Sequence, residues 1–247
     1  MIKFIKYNFR EKKNMTGIVI AMKQEAEPFL SENVIDKETL YGVEFYKVSF
    51  NGRRAVIALC GIGKVNASFG TALLISRYNP DTIISVGVSG GLGKDVRILD
   101  LVAAENAVQY DVDTSPLGDP VGFVSTVERI FFPADKDLFA LLQKSCNAKK
   151  GVAACGEKFV ADKETKDNIV ALFGASCCDM ESAAVAQCAF RAGKKFLCLR
   201  CISDDEYGDP PADFNAFLHS ASEKLFSAIK SFMEELPAED DKGIFYQ

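Results

Sequence analysis

Short apolar runs that lead into glycine turns or helix-like segments constrain this chain more than any other feature. Gly17 to Met22, Arg54 to Cys60 and Thr82 to Val88 are rich in β-branched residues and no longer than a strand. Phe196 to Ser203 is another run of the same kind. Val43 to Phe50 alternates polar and apolar positions. Asn51-Gly52 separates it from the run at Arg54, a hairpin signal because both residue types accept positive φ. Gly63 to Tyr78 carries Val65, Ala67, Phe69, Ala72, Leu73 and Ile75 as a helix would, with Pro80 beyond its end. Strands alternating with helices, interrupted by one early hairpin, predict an α/β fold: a single domain with a mixed central β-sheet flanked by helices.

The remaining segments fit that frame. Thr82 to Val88 is expected to end in a turn over Ser89-Gly90-Gly91-Leu92-Gly93, where glycine conformations are needed. Leu99 to Val108, Val152 to Cys155 and the residues near Phe159 look strand-like, and Tyr110 to Val121 looks like a loop. Helices are expected over Lys136 to Asn147, from Asp162 towards Phe173, over Glu181 to Ala192 with Gly193 as its stop, and over Phe214 to Leu236. Residues 1–15 are expected to form a loose basic extension, 16–236 the folded domain and 237–247 a charged, frayed tail. The opening residues lack the apolar stretch of a secretory signal, and Met15 is an alternative start.

Composition excludes some functions. With 247 residues the chain can bury one sizeable core. The net charge of −5 argues against nucleic acid as the main partner, which would need a basic surplus. The apolar runs are too short to span a membrane. Without an export signal, the eight cysteines are expected as buried thiols rather than disulfides. Cys198-Leu-Arg-Cys201 matches C-x-x-C but has no second pair at zinc-ribbon spacing. His219 is the single histidine and reads as a surface or groove residue, leaving little room for a histidine triad or metal cluster.

Carboxylates stand out in two stretches, Asp179-Met180-Glu181-Ser182-Ala183-Ala184 and Arg200-Cys201-Ile202-Ser203-Asp204. Both lie beside apolar or small residues at an edge between elements. A carboxylate is costly there unless used, so Glu181 and Asp204 point to acid/base work or hydroxyl binding in a cleft. Gly61-Ile62-Gly63-Lys64-Val65 fails both nucleotide fingerprints. Asn66 stands where a dinucleotide motif needs its last glycine, and Ala58 and Val65 where a phosphate loop needs Gly and Ser/Thr. It is either a tight strand-to-helix turn or a turn lining a ligand pocket. The glycines of Gly87-Val88-Ser89-Gly90-Gly91 allow close backbone approach to a ligand. Glu25 taken alone is a solvated acid at a helix start.

In chain order, Ala21-Met22-x-x-Glu25, Gly61-Ile62-Gly63-Lys64-Val65-Asn66-Ala67, Gly87-x-x-Gly90-Gly91-Leu92, Asp179-Met180-Glu181-Ser182-Ala183-Ala184-Val185-Ala186 and Arg200-x-Ile202-Ser203-Asp204 are far more specific. The set resembles the 5′-methylthioadenosine/S-adenosylhomocysteine nucleosidases of the nucleoside phosphorylase superfamily, from Gly17 to about Phe232. The resemblance implies hydrolysis of the N-glycosidic bond of 5′-thio-substituted adenine nucleosides. It makes Asp204 the acid that protonates adenine N7 and Glu25 the base that activates water. Glu181 would hold the ribose hydroxyls, with Met180 packed on the sugar, Arg200 near the ribose and water, and Ser203 steadying Asp204. Phe159 would stack on adenine and Val160 read it through its backbone. Gly90 would approach the ligand closely, and Ile62 and Phe214 would surround the 5′ group. No cofactor or metal is implied. The expected partners are a small adenine nucleoside and a second copy of the chain capping the 5′ pocket, in a cytoplasmic setting. Val88 departs from the family, which carries serine there; in phosphorolytic relatives that serine helps hold phosphate, so valine leans towards hydrolysis. Gln109 to Asp113 is a candidate determinant of 5′ preference. The competing readings are a phosphate-dependent phosphorylase and a non-catalytic nucleoside binder.

Overall fold

The computed structural model describes residues 15–31, 34–205 and 210–237, so the expected extension before Met15 and nearly all of the expected tail lie outside the described residues. The chain opens with β1 (Thr16–Ile20), α1 (Lys23–Leu30) and a meander of β2 (Val34–Leu40), β3 (Val43–Phe50) and β4 (Arg53–Leu59). Next come α2 (Lys64–Tyr78), β5 (Thr82–Gly91), β6 (Leu101–Gln109), β7 (Phe131–Pro133), α3 (Lys136–Cys146) and β8 (Lys149–Cys155). The last part is α4 (Lys163–Phe173), β9 (Cys177–Asp179), α5 (Ser182–Arg191), β10 (Lys195–Asp204) and α6 (Pro210–Glu235). The architecture is the expected α/β domain.

One mixed sheet organises it. β1 lies parallel between β4 and β5, and the antiparallel meander extends the sheet beyond β4. On the other side β5 runs parallel to β10, β10 antiparallel to β6, β6 parallel to β8, and β8 parallel to β9. β9 then pairs back onto Gly90 and Gly91 of β5. These five strands close a ring, which brings the ends of β5, β9 and β10 together.

The central strands β1, β5 and β10 are buried on both faces because helices cover both. On β1, Val19 joins the cluster under α2 and α5 with Ala67, Leu74, Ala183 and Ala186. Its neighbours Ile18 and Ile20 join the cluster under α1, α3 and α6 with Phe29, Leu142, Leu225 and Phe232. The same alternation separates the C-x-x-C cysteines: Cys198 packs in the first cluster and Cys201 in the second. Three residues apart on a strand, their side chains point to opposite faces and cannot share a ligand. Burial pushes both thiols up to about 12.

Local chemistry explains the boundaries. Asn51 (φ 49°) and Gly52 (φ 83°) make the expected hairpin turn, and Tyr41 (φ 49°) and Gly42 (φ 84°) make another that the sequence left unclear. Asp162 caps α4 by accepting the Thr165 N–H at 2.8 Å. α2 ends on Asn79 in the left-handed region, its N–H bonded to the Ile75 carbonyl.

Two expectations need correction. The glycine segment after Val88 is not a turn, because β5 continues to Gly91 through pairing with β9 and β10. Its glycines meet a packing demand instead. A Cβ on Gly90 would lie 3.1 Å from Asp204 Oδ2 and 3.2 Å from Cys178 Sγ. The residues near Phe159 form a loop rather than a strand.

Candidate active site

At the junction of β1, β5, β9 and β10 is a pocket with about 610 Å³ of atom-free space, part of it open to solvent. Ala21, Met22 and Glu25 border it from the β1–α1 connection, and Val88, Ser89 and Gly90 from the end of β5. β9 and the residues after it supply Cys178, Asp179, Met180 and Glu181, and β10 supplies Ser203 and Asp204. Ile62, Lys158, Phe159, Val160 and Phe214 complete the lining. Every site residue expected from sequence except Arg200 therefore borders one cavity.

Glu25 is the third residue of α1 and is only 3% exposed. Its Oε2 accepts the Met22 N–H at 2.9 Å and its Oε1 the Val88 N–H at 2.8 Å. Burial raises its pKa, while the two N–H bonds and the Arg200 charge pull it back down. The sequence reading of Glu25 alone, as a solvated acid, fails because β5 comes alongside. Position 88 holds Glu25 through its backbone, whatever its side chain.

Asp204 ends β10 and is 1% exposed. Its Oδ1 accepts the Ser203 hydroxyl at 2.9 Å. Burial raises its pKa, and the Ser203 bond and the Lys166 charge oppose the rise. Among the described residues, Asp204 thus has weaker support for its anion than Glu25, which has two backbone donors.

Glu181 occupies the N-cap position of α5 without capping it, half-buried, and reaches across to the start of α2, where its Oε1 accepts the Gly63 N–H at 2.8 Å. Burial, reinforced by the nearby Asp179 charge, pushes its pKa up to about 7. Gly63 has φ 97°, and a Cβ there would lie 2.8 Å from Glu157 Oε2. The Gly61–Val65 turn is therefore both of the things the sequence left open, a strand-to-helix turn and, through Ile62, part of the pocket wall.

Arg200 is 1% exposed and does not border the cavity. Its Nε donates to Asp179 Oδ2 at 2.8 Å and an Nη to Ser85 Oγ at 2.8 Å. Asp179 Oδ1 accepts the N–H groups of Glu181 and Ser182 at 2.9 and 2.8 Å. Burial opposes ionisation of Asp179, but Arg200 and these N–H groups outweigh it and hold the carboxyl below its ordinary value. The pair fixes the backbone that presents Glu181. The sequence motif contains Asp179 without giving it a task; its place two residues before Glu181 was the available signal.

The rim is apolar. Phe159, 45% exposed, stands edge-on to Phe214 with ring centroids 5.9 Å apart. Gln109 and Asp111, from the segment expected to set 5′ preference, bond Lys64 at 3.2 and 2.6 Å rather than bordering the cavity. Among the described residues no cluster of His, Cys, Asp and Glu could hold a metal ion, and no helix is long and apolar enough to cross a membrane.

The mixed-sheet α/β domain, which gathers Glu25, Asp179, Glu181 and Asp204 around one apolar-rimmed pocket, has the nucleoside phosphorylase-like fold. The chain belongs to the phosphorylase superfamily, whose sequence profile matches residues 16–234. It is 34% identical over 227 residues to an aminodeoxyfutalosine nucleosidase of Helicobacter pylori, covering 89% of this chain and 98% of that protein. It is 31% identical over 228 residues to a 5′-methylthioadenosine/S-adenosylhomocysteine nucleosidase of Shewanella pealeana, covering 89% and 99%. A crystal structure of 5′-methylthioadenosine/S-adenosylhomocysteine nucleosidase from Helicobacter pylori with butyl-thio-DADMe-Immucillin-A superposes with a TM-score of 0.86 at 33% identity, covering 92% of this chain and all of that one.

Proposed function

We propose that the chain is a nucleosidase that hydrolyses the N-glycosidic bond of 5′-thio-substituted adenine nucleosides. Methylthioadenosine, S-adenosylhomocysteine and 5′-deoxyadenosine are the substrates the reading favours. The nucleosidase relatives support the reaction class. The observation that carries the division of labour is the unequal support of two buried carboxylates. Glu25 accepts two backbone N–H bonds, which suit an anion, whereas Asp204 accepts one hydroxyl. On this reading Glu25 is the base that takes a proton from water. Asp204 holds a proton and passes it to the leaving adenine.

The other residues follow from position. Glu181 accepts the ribose hydroxyls, with Met180 against the sugar. Phe159 stacks on the base, the backbone at Val160 reads its edge, and Gly90 leaves room beside Asp204. Ile62 and Phe214 surround the 5′ group. Ser203 orients Asp204. Arg200 acts from below the pocket by fixing Asp179. Acid/base transfer contributes about 10²–10⁴-fold, so positioning in the closed strand ends supplies the rest.

The chain is further read as a cytoplasmic homodimer. Val65 at 77%, Phe69 at 45% and Leu117 at 84% exposure are apolar surface consistent with a second copy.

The test is adenine release from methylthioadenosine, S-adenosylhomocysteine, 5′-deoxyadenosine, aminodeoxyfutalosine, adenosine and inosine, with and without phosphate. Release without phosphate, strongest for 5′-substituted adenine nucleosides, supports the reading. A strict phosphate requirement indicates a phosphorylase, and binding without release a non-catalytic binder.

A further inference from the structure

Lys166 is a buried cation that the catalytic reading does not use. It is 4% exposed and is the fourth residue of α4. Both placements disfavour a lysine: burial strips its ammonium of water, and the first turn of a helix carries partial positive charge. Ile169 and Phe173, farther along α4, pack with Cys178 in an apolar cluster, and the Lys166 charge acts on Cys178. Its Nζ donates to the backbone carbonyl of Asp205 at 3.1 Å, the residue after Asp204. The ammonium therefore lies behind the pocket wall, against the chain that carries the acid.

We propose that Lys166 is a positioning residue for proton donation: its ammonium anchors the backbone at Asp205 and stabilises the carboxylate that Asp204 becomes once its proton has gone to the leaving base. This rests on the reading of Asp204 as the acid. No bond to Lys166 forms or breaks; its charge offsets the negative charge left on Asp204. Among the described residues, the groups facing Asp204 are Ser203 from its own strand, Cys178 from β9, Lys166 from α4, Asp213 from α6 and its neighbour Asp205. Asp213 and Asp205 raise its pKa and Lys166 lowers it, so on this proposal the Lys166 charge opposes the weakening of the acid.

The test compares Lys166→Met, Lys166→Gln and Lys166→Arg with the unaltered protein, reading folding by circular dichroism and kcat and KM for methylthioadenosine across pH. Activity requiring protonated Asp204 falls as pH rises through its pKa, so this limb reports the acid. Removing the cation should move the limb to higher pH by about one unit and lower kcat about tenfold, with KM little changed. The Lys166→Arg variant, which keeps the positive charge, should hold both near their unaltered values. A folded neutral variant whose alkaline limb stays in place overturns the proposal, as does Lys166→Arg behaving like the neutral variants. If neither neutral variant folds, Lys166 is a folding element and the proposal fails. Absence of adenine release from the unaltered protein would instead sink the nucleosidase reading, which keeps the two failures apart.

Discussion

Arg200 and Asp179 form an ion pair 1% exposed on both sides, Nε to Oδ2 2.8 Å, directly under the residues that present Glu181. Breaking such a pair by removing one partner typically costs about 3–5 kcal/mol, because the remaining charge stays buried. Arg200→Met should lose stability on this scale in denaturant unfolding. Arg200→Lys should not restore it, since a single ammonium cannot reach Asp179, Ser85 and the Leu199 carbonyl together. A loss below about 1 kcal/mol would show that the pair is not holding the pocket floor.

Two glycines leave room for the carboxylates. A Cβ on Gly87 would lie 2.8 Å from Glu25 Oε1, and one on Gly90 would lie 3.1 Å from Asp204 Oδ2. Neither glycine has positive φ, so alanine fits the backbone and the cost falls on the neighbouring carboxylate. Gly87→Ala should lower kcat by up to roughly 10²-fold in a folded protein, the size expected for a displacement of about 1 Å, whereas Gly90→Ala, whose Cβ would press Asp204 and Cys178 less closely, should cost less. Steady-state kinetics with a thermal melt checks this; near-normal kcat in Gly87→Ala would mean Glu25 does not need its position.

Glu181 should make stability depend on pH. Its pKa rises from the ordinary 4.5 to about 7, so the folded protein binds its proton more tightly than the unfolded chain does. That destabilises the fold as pH climbs from about 4.5 to about 7, and the penalty is constant above. Glu181→Gln should therefore be more stable than the unaltered protein above pH 7, by on the order of 1 kcal/mol given partial solvent access, and the gap should close near pH 4. Melting curves across that range check the sign. The same variant should bind methylthioadenosine more weakly, an exchange of stability for function.

The parts of the fold visible in sequence are those where local signals agree with tertiary structure. β3 runs over Val43–Phe50 as its alternation predicts, and Asp162 caps α4 as its position suggests. β9 spans only Cys177–Asp179 and exists through its pairing with β8 and with Gly90 and Gly91, so no local pattern announces it. The glycines of β5 suggest a turn when their true constraint is the approach of Asp204 and Cys178 from other strands. The pocket was legible through motif order rather than chemistry: Glu25 is buried only because β5 brings the Val88 N–H to it. Arg200 and Lys166 show the limit, since their tasks depend on Asp179 and Asp205, at distances along the chain that composition does not encode.

Both Glu25 and Asp204 have raised pKa values, burial being the main cause in each. If Glu25 works ionised and Asp204 protonated, kcat/KM should be bell-shaped. The acid limb would report ionisation of Glu25 above the usual glutamate range, and the alkaline limb loss of the proton from Asp204. Replacing Asp204 by asparagine should remove most activity at every pH rather than shift a limb. A flat profile from pH 5 to about 9 would contradict the paired roles.

The most direct test is adenine release from methylthioadenosine in phosphate-free buffer by the unaltered protein, Glu25→Gln and Asp204→Asn. The expected result is turnover by the unaltered protein and a fall of at least about 10²-fold in each variant, with both folded and Asp204→Asn still binding the nucleoside. Either variant retaining activity within roughly threefold of the unaltered protein would contradict the assignment of base and acid.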